Sequence, residues 1–330
     1  MTTPKQQRIF ITGASGYIGS RVTEFALREG YAVHGLCRTE AKAAQLRALG
    51  AVPVRADMAA LEVLRAEAAQ ADIVVHLADA WIDDFSQPYD DVVRIDGAAV
   101  DAMAAGLASS PSSRKLFLGT SGVGVVEPDA AGGETDEDAP EDPKPLNGRI
   151  RCERHVLSKA GQGGIRVCVM RLPPFVYGRG GSGVGLFMSV FAKLGAVVRL
   201  GDGRTRSCVV HVDDAARAYV LALGRACVRP GHTRAVYNVS STTEVTFRDL
   251  TDAMAAVLGL PVREMDVAEA AGFAGPLIAG FFSGRVRGKG DKAKAELGWT
   301  PTEIGVIEDI RSGSYAQVAK ELAASTDSSA

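Results

Sequence analysis

Short apolar runs alternate with amphipathic segments of helical length through the first half of the chain, the pattern of βαβ units feeding a parallel sheet. The first run, Arg8-Ile-Phe-Ile-Thr12, is β-branched and aromatic and predicts a strand. The next segment sets Ile18, Val22, Phe25 and Ala26 at helical spacing and stops at Gly30, a residue free to adopt the left-handed conformation of a helix end. A strand over Ala32 to Leu36 follows. Thr39 is placed to cap a helix through Leu46 and Leu49 that stops at Gly50, and Val52 to Arg55 reads as the next strand. Ile73 to Leu77, Lys115 to Leu118 and Ile165 to Arg171 predict further buried strands, with helices near 92–108 and 149–159 between them. The fold class expected is α/β, a Rossmann-type doubly wound parallel sheet with a smaller interleaved C-terminal substrate lobe.

The second half is less regular. Gly178 to Gly185 is glycine-rich and follows a strand, but lacks the Gly-Lys-Ser/Thr ending of a phosphate-binding P-loop and reads as a flexible connection. Val236 to Val239 predicts a strand that rejoins the sheet, and Phe247 to Leu258 a helix of the smaller lobe. Residues 127–142 hold eight acidic side chains and no Lys or Arg, the composition of a solvated surface loop. The expected division is a dinucleotide-binding domain over 1–177 with return segments at about 207–240, a substrate lobe over 178–206 and 241–324, and a disordered tail over 325–330.

Composition narrows the function classes. With 330 residues and 46% hydrophobic content the chain can bury a large core, and 37 Lys and Arg against 39 Asp and Glu give no electrostatic footprint for nucleic acid or an anionic membrane. The apolar stretch Ala271 to Phe282 is twelve residues with Pro276 inside it, short of the ~20 that span a bilayer. The polar start carries no signal-peptide pattern, so a cytoplasmic protein is expected. Five cysteines without a Cys-x-x-Cys spacing read as reduced structural thiols, and no His, Cys and carboxylate cluster has metal-ligand spacing.

The candidate chemistry begins at Thr12-Gly-Ala-Ser-Gly-Tyr-Ile-Gly19, between the first strand and first helix. Glycines at 13, 16 and 19 let the backbone turn tightly against a pyrophosphate whose charge the helix N-terminus stabilises, which makes Gly13, Ser15, Gly16, Tyr17 and Ile18 candidate cofactor contacts. The second strand ends Gly35-Leu-Cys-Arg38 with no acid before Glu40. An acid there would accept from a ribose 2′-hydroxyl, whereas an arginine pairs with a 2′-phosphate, so the expected cofactor is NADP(H) with Arg38 as partner; the alternative is an exposed arginine at a helix start. Asp57 and Met58, at the end of the third strand, suit an adenine contact, though Asp57 is equally placed to cap a helix.

These motifs resemble the extended short-chain dehydrogenase/reductases, commonly called the NAD-dependent epimerase/dehydratase family. Thr12 to Gly19 is similar to the family's T-G-x-x-G-x-x-G loop, Asp57 to its adenine contact, His76-Leu-Ala78 to its fourth-strand segment, and Leu118-Gly-Thr-Ser121 to the segment carrying its catalytic serine. Arg171 to Gly178 resembles the nicotinamide-side loop, Val210 to Ala215 the return to the sheet, and Glu296 to Pro301 the C-terminal signature. The resemblance implies cofactor contacts from Leu77, Ala78, Asp79, Thr120, Pro174 and Val176, and suggests a homodimer. One departure stands out. The family's Tyr-x-x-x-Lys pair is absent: no tyrosine lies between Tyr89 and Tyr177, and Pro145 and Arg149, or Asn147 and Arg151, stand in its place. The asparagine usual on the preceding helix is replaced by Asp96, and Arg149 with Glu153 is similar to atypical members carrying an Arg-x-x-x-Glu stretch.

Ser121 and Arg149 are therefore the expected polarising groups. Arginine keeps its charge, so it stabilises an oxyanion but is a poor acid at neutral pH. Candidates for the acid are Tyr177, Asp79, His211 or a water, with His211 favoured by an intrinsic pKa near ~6.5. Trp81 and Tyr177 are expected to wall the substrate pocket and Arg206 to meet an anionic group, or to be a simple surface arginine. Three activities fit: an NADP(H)-dependent oxidoreductase acting on a carbonyl of a small metabolite, a redox-neutral isomerase, epimerase, lyase or cyclase, and a silent NADP(H)-sensing protein.

Overall fold

The computed structural model describes residues 6–83, 87–224 and 227–327. Its first half alternates as the hydrophobic pattern predicts: β1 (Arg8–Thr12), α1 (Tyr17–Arg28), β2 (Ala32–Cys37), α2 (Glu40–Leu49), β3 (Val52–Arg55), α3 (Leu61–Ala69), β4 (Ile73–His76), α4 (Tyr89–Ser109), β5 (Leu116–Gly122), α5 (Arg149–Leu157) and β6 (Arg166–Leu172). There follow β7 (Phe175–Tyr177), α6 (Ser182–Leu194), β8 (Val197–Leu200), β9 (Arg206–His211), α7 (Val212–Gly224) and β10 (Arg234–Asn238). The chain closes with β11 (Thr242–Thr246), α8 (Phe247–Leu258), β12 (Val262–Met265), α9 (Val267–Ala274), α10 (Pro276–Ser283), α11 (Val306–Ser312) and α12 (Ser314–Asp327).

Seven parallel strands form the main sheet in the order β10-β6-β5-β4-β1-β2-β3. The chain winds outward in opposite directions on either side of the β1/β4 pair, and the crevice at the carboxyl ends of those two strands is where open α/β sheets bind ligands. One apolar core, with Ile9, Ile11, Val22, Ala26, Val75 and Tyr219, covers one face of the sheet; another, with Phe10, Leu64, Val74, Met103 and Phe117, covers the other. The alternation of Ile9 and Ile11 against Phe10 between these cores is the period-2 pattern of a strand buried on both sides. A further core of Phe175, Phe187, Phe247, Phe282 and their neighbours organises the C-terminal lobe.

Two expectations change. The return segment is split: β10 joins the main sheet beside β6, whereas β9 pairs with β7 and β11 in a separate three-stranded sheet. Val209 and Val210 point into different cores, so β9 reads as a buried strand in the sequence whichever sheet it joins. The tail expected to be disordered from Ser325 stays in α12 through Asp327, with the Ser325 hydroxyl donating to the Leu322 carbonyl at 2.7 Å; residues 328–330 lie outside the described residues. The acidic segment 127–142 lies at the surface as expected, with none of its residues buried, and is tethered there. Glu137 accepts from the Asn238 backbone N–H at 2.7 Å, Glu134 accepts from the Thr243 hydroxyl, and Thr135 bridges to Gly288. All five cysteines are buried and free, and among the described residues no helix is long and apolar enough to cross a membrane.

Candidate active site

The glycine-rich loop is shaped by close approach. Gly13 has φ +69°, and a Cβ there would stand 2.8 Å from the Ala78 nitrogen; a Cβ on Gly19 would stand 2.0 Å from the Gly13 carbonyl oxygen. Only side-chain-free residues let the loop pack at once on the β4 exit and on α1. Gly16 caps α1, which has neither a side-chain cap nor an acid in its first turn, so its leading N–H groups face the loop without an anion of their own. Ser15 and Ile18 are half-buried around this turn, and the Tyr17 hydroxyl donates to the Gly178 carbonyl at 2.8 Å, tying the loop to the second lobe.

At the far end of the crevice, Arg38 is exposed just beyond β2. Glu40, the first acid after that strand, has its two carboxylate oxygens taken by Arg47 at 2.6 Å and Arg55 at 2.7 Å. The hydrogen bond and charge of Arg47, with those of Arg55, hold Glu40 below the usual carboxylate range. Arg55 also reaches the Arg38 carbonyl, so three arginines gather around Glu40 just beyond β2. Asp57 is exposed and accepts from the Ala59 N–H at 2.9 Å in a local turn, and Met58 packs on the core beneath.

Under the loop, a buried relay fixes the β4 exit. Thr12 Oγ1 accepts from the Leu77 and Ala78 N–H groups, so its own hydrogen goes to His76 Nδ1 at 2.7 Å. His76 then carries its proton on Nε2 and donates to Asp96 Oδ1 at 3.1 Å. Burial opposes ionisation of Asp96, but His76, with help from Arg149 and Cys152, outweighs it and holds the carboxyl below its ordinary value.

Arg149 is fixed against the end of β5, the strand that carries Ser121. Asn147 accepts from the Arg149 backbone N–H at 3.0 Å, fixing the start of α5. The guanidinium donates to Asp79 Oδ2 at 3.0 Å and to the Thr120 carbonyl at 2.8 Å, one residue from Ser121. Burial favours loss of its proton, yet Asp79, Tyr89 and Asp96 prevail and raise its pKa, so Arg149 is a permanent cation. The Thr120 hydroxyl bonds the Tyr219 hydroxyl at 2.8 Å. Ser121 is 4% exposed, and its Oγ has no hydrogen-bond partner. A buried hydroxyl without a partner carries a desolvation cost, which a substrate oxygen would relieve. Trp81 lies beside Asp79, its backbone N–H donating to Asp79 Oδ1 at 2.9 Å and its ring edge-to-face with Tyr89.

Several expected site residues are placed elsewhere. His211 is buried, accepts on Nδ1 from the Asp213 N–H at 3.2 Å and packs against the Tyr177 ring at 5.3 Å, which gives it a structural task in place of acid catalysis. Tyr177 is a member of the C-terminal lobe's core, its hydroxyl spent on the Ile304 carbonyl at 2.7 Å, so it is neither a pocket wall nor an available acid. Arg206 is exposed at the start of β9 and pairs with Glu244 at 3.4 Å, a rim contact of the small sheet. Pro174 is half-buried between β6 and β7, and Val176 faces the main-sheet core. Glu153 does not act with Arg149: it forms a buried pair with Arg171, at 2.6 Å. His211, Asp213 and Glu303 place ligand atoms within 4.8 Å of one another, but Arg21 and Arg179 hold Asp213 and Arg217 holds Glu303.

Tyr89 and Cys152 are site neighbours that sequence reasoning passed over. Tyr89 opens α4, and no spacing in the sequence links it to Arg149, 60 residues on.

Residues 9–240 match the model of the NAD dependent epimerase/dehydratase family. The uncharacterized protein YLL056C of Saccharomyces cerevisiae is 33% identical over 309 residues, covering 92% of this chain and 98% of its own. Aldehyde reductase 2 of Sporidiobolus salmonicolor is 31% identical over 134 residues, 38% of each chain. Among solved structures, UDP-glucose 4-epimerase of Thermotoga maritima with UDP-glucose superposes with a TM-score of 0.71 at 20% identity, covering 96% of this chain and 99% of that one.

Proposed function

Because the chain belongs to the NAD-dependent epimerase/dehydratase family, a family of nicotinamide-dinucleotide enzymes, we propose that it is an NADP(H)-dependent oxidoreductase that reduces a carbonyl of a small metabolite. The observation that carries this reading is the buried, unpartnered Ser121 hydroxyl one residue beyond the Thr120 carbonyl that accepts from the fixed Arg149 cation. Gly13, Gly16 and the first turn of α1 would hold the pyrophosphate, Arg38 the 2′-phosphate, and Leu77, Ala78 and Asp79 would border the nicotinamide side. When bound, the reduced dinucleotide supplies a hydride. Ser121 donates its hydrogen to the substrate oxygen, and Arg149 places positive charge beside the backbone that carries Ser121, so negative charge growing on that oxygen is stabilised. The Thr12, His76 and Asp96 relay keeps the β4 exit rigid beneath the loop.

A redox-neutral epimerase is the second reading, supported by the full-length fold likeness to the Thermotoga maritima enzyme. Loss of 340 nm absorbance with a panel of aldehydes and ketones separates the two. Stoichiometric consumption of NADPH supports the reductase, and product formed with no net consumption of the dinucleotide overturns it.

A further inference from the structure

We infer that the substrate of this site is a neutral carbonyl compound with an apolar body, its oxygen at Ser121 and its body between Leu146 and the outer side of α10; the inference rests on the carbonyl-reductase reading above.

The segments that carry Ser121 and Arg149 share one wall from the C-terminal lobe. Leu146 lies three residues before Arg149, and its Cδ1 would stand 3.6 Å from a Cβ on Gly280, within α10. Val123 and Gly124 lie two and three residues beyond Ser121. A Cβ on Gly124 would stand 3.4 Å from Val286 Cγ2, and one on Gly288 only 2.2 Å from Val123 Cγ1. The chain from Gly280 to Gly288 therefore runs from the entry of α5 to the exit of β5, the two places that carry Arg149 and Ser121.

That wall is apolar and keeps a free side. Ile278, Ala279 and Phe282 are buried in the core of the C-terminal lobe, whereas Leu277, Gly280 and Phe281 fall on the opposite side of α10 at i, i+3 and i+4. Leu146 faces this side at Gly280, one turn from Leu277. Leu146 is 69% exposed and Leu277 38%, and no atom but Leu146 Cδ1 would lie within 4 Å of a Gly280 Cβ, so the space beside Gly280 is open. Two exposed leucines, one from each lobe, next to a buried hydroxyl without a partner form a surface that an apolar ligand ending in an oxygen acceptor would cover on both counts.

Charge excludes the alternative. From Val267 to Ser283 there is no Lys or Arg, and the one acid, Glu269, is held in the capping box of α9. Further along the same wall Arg287 pairs with Glu244 at 2.6 Å, and Arg206 meets the same carboxylate at 3.4 Å. An anionic substrate would lose water against this wall without gaining a counter-charge, which a neutral one avoids. Lys144 and Arg285, the cations that flank the two sides in sequence, are exposed, and an anionic probe tests them.

The test uses amides, which offer a carbonyl oxygen but accept no hydride from NADPH. Calorimetry on the NADPH complex compares 4-tert-butylbenzamide with its anionic counterpart, terephthalamate. The neutral amide is expected to bind at least about tenfold tighter, with a negative heat-capacity change. Leu146→Ser is expected to weaken it about three- to tenfold, and Leu186→Ser, which alters an exposed leucine on α6, to leave it unchanged. Gly280→Val, which fills the open space, is expected to weaken 4-tert-butylbenzamide more than unsubstituted benzamide. In turnover, kcat/KM for 4-tert-butylbenzaldehyde is expected to exceed that for 4-carboxybenzaldehyde at least about tenfold. Terephthalamate binding as tightly as the neutral amide, above all if Arg285→Ala abolishes it, overturns the inference, as does a neutral amide bound equally by wild type, Leu146→Ser and Gly280→Val. Reduction confined to anionic or polyhydroxylated aldehydes overturns it too and leaves the reductase reading intact. A wild type that binds the neutral amide as expected but reduces no aldehyde loses the reductase reading and keeps the apolar substrate wall.

Discussion

Replacing Glu153 by Gln asks whether the pair it forms with Arg171 is a structural charge pair, as its burial implies, or part of an arginine and glutamate motif serving Arg149. The side chains of Arg171 and Glu153 are 7% and 1% exposed, and Arg171 Nε and Nη2 reach the carboxylate at 2.6 to 3.2 Å. Gln keeps the shape and one acceptor but leaves the guanidinium buried without a counter-charge, a change that costs about 3–5 kcal/mol. At roughly 2.1 cal/mol/K of unfolding entropy per residue, a chain of 330 residues melting as one unit has about 0.7 kcal/mol/K, so Tm falls by about 4–7 °C. Calorimetry reads this directly, with urea unfolding as a check that the slope is unchanged. Glu153→Met combined with Arg171→Met removes both charges and is expected to regain most of the loss. A Tm change below about 1 °C in Glu153→Gln would refute the reasoning, since it would mean that water already shields the pair.

Other substitutions separate binding, chemistry and pH response. Gly19→Ala puts a methyl 2.0 Å from the Gly13 carbonyl oxygen and is expected to weaken dinucleotide binding at least about 100-fold by fluorescence titration, because backbone has to move. Ser121→Ala removes a buried hydroxyl without a partner, so stability is expected to hold within about 1 kcal/mol or improve, while kcat falls about 10- to 1000-fold. Asp96 has a folded pKa below its unfolded value, so it binds fewer protons when folded. Its contribution to stability is present above the unfolded value near ~4 and is lost as pH falls through the lower folded one. Urea unfolding across that acid range is expected to show a shallower decline in Asp96→Asn.

The parallel sheet was legible because central strands buried on both faces, such as Arg8–Thr12, read as unbroken apolar runs; the edge strand Val52–Arg55, half exposed, also coincides with its predicted limits. The glycine-rich loop was legible for a similar reason: local geometry demands residues without side chains at fixed spacing. The partner of β9 was not, since a run such as Cys208-Val-Val is equally at home in either sheet. The acidic segment was legible as surface because charge density marks exposure, whereas the donors that Glu134 and Glu137 find on distant strands were not. His211 and Tyr177 were drawn to the site by residue type, but packing spends both inside the C-terminal half. Conversely, Asp79 and Arg149 meet only in three dimensions, with Tyr89 packed on Gly148 beside them, and nothing along the chain announces it.

Parallel kinetics with NADPH and NADH decide the central claim. On a carbonyl that the wild type reduces, [4-²H]-labelled dinucleotide is expected to deliver deuterium to the carbinol carbon, with kcat/KM at least about tenfold higher for NADPH than for NADH. Arg38→Ala is expected to erase most of that preference by weakening NADPH alone. Deuterium retained by the dinucleotide while product forms, or equal use of both dinucleotides unaffected by Arg38→Ala, would contradict it.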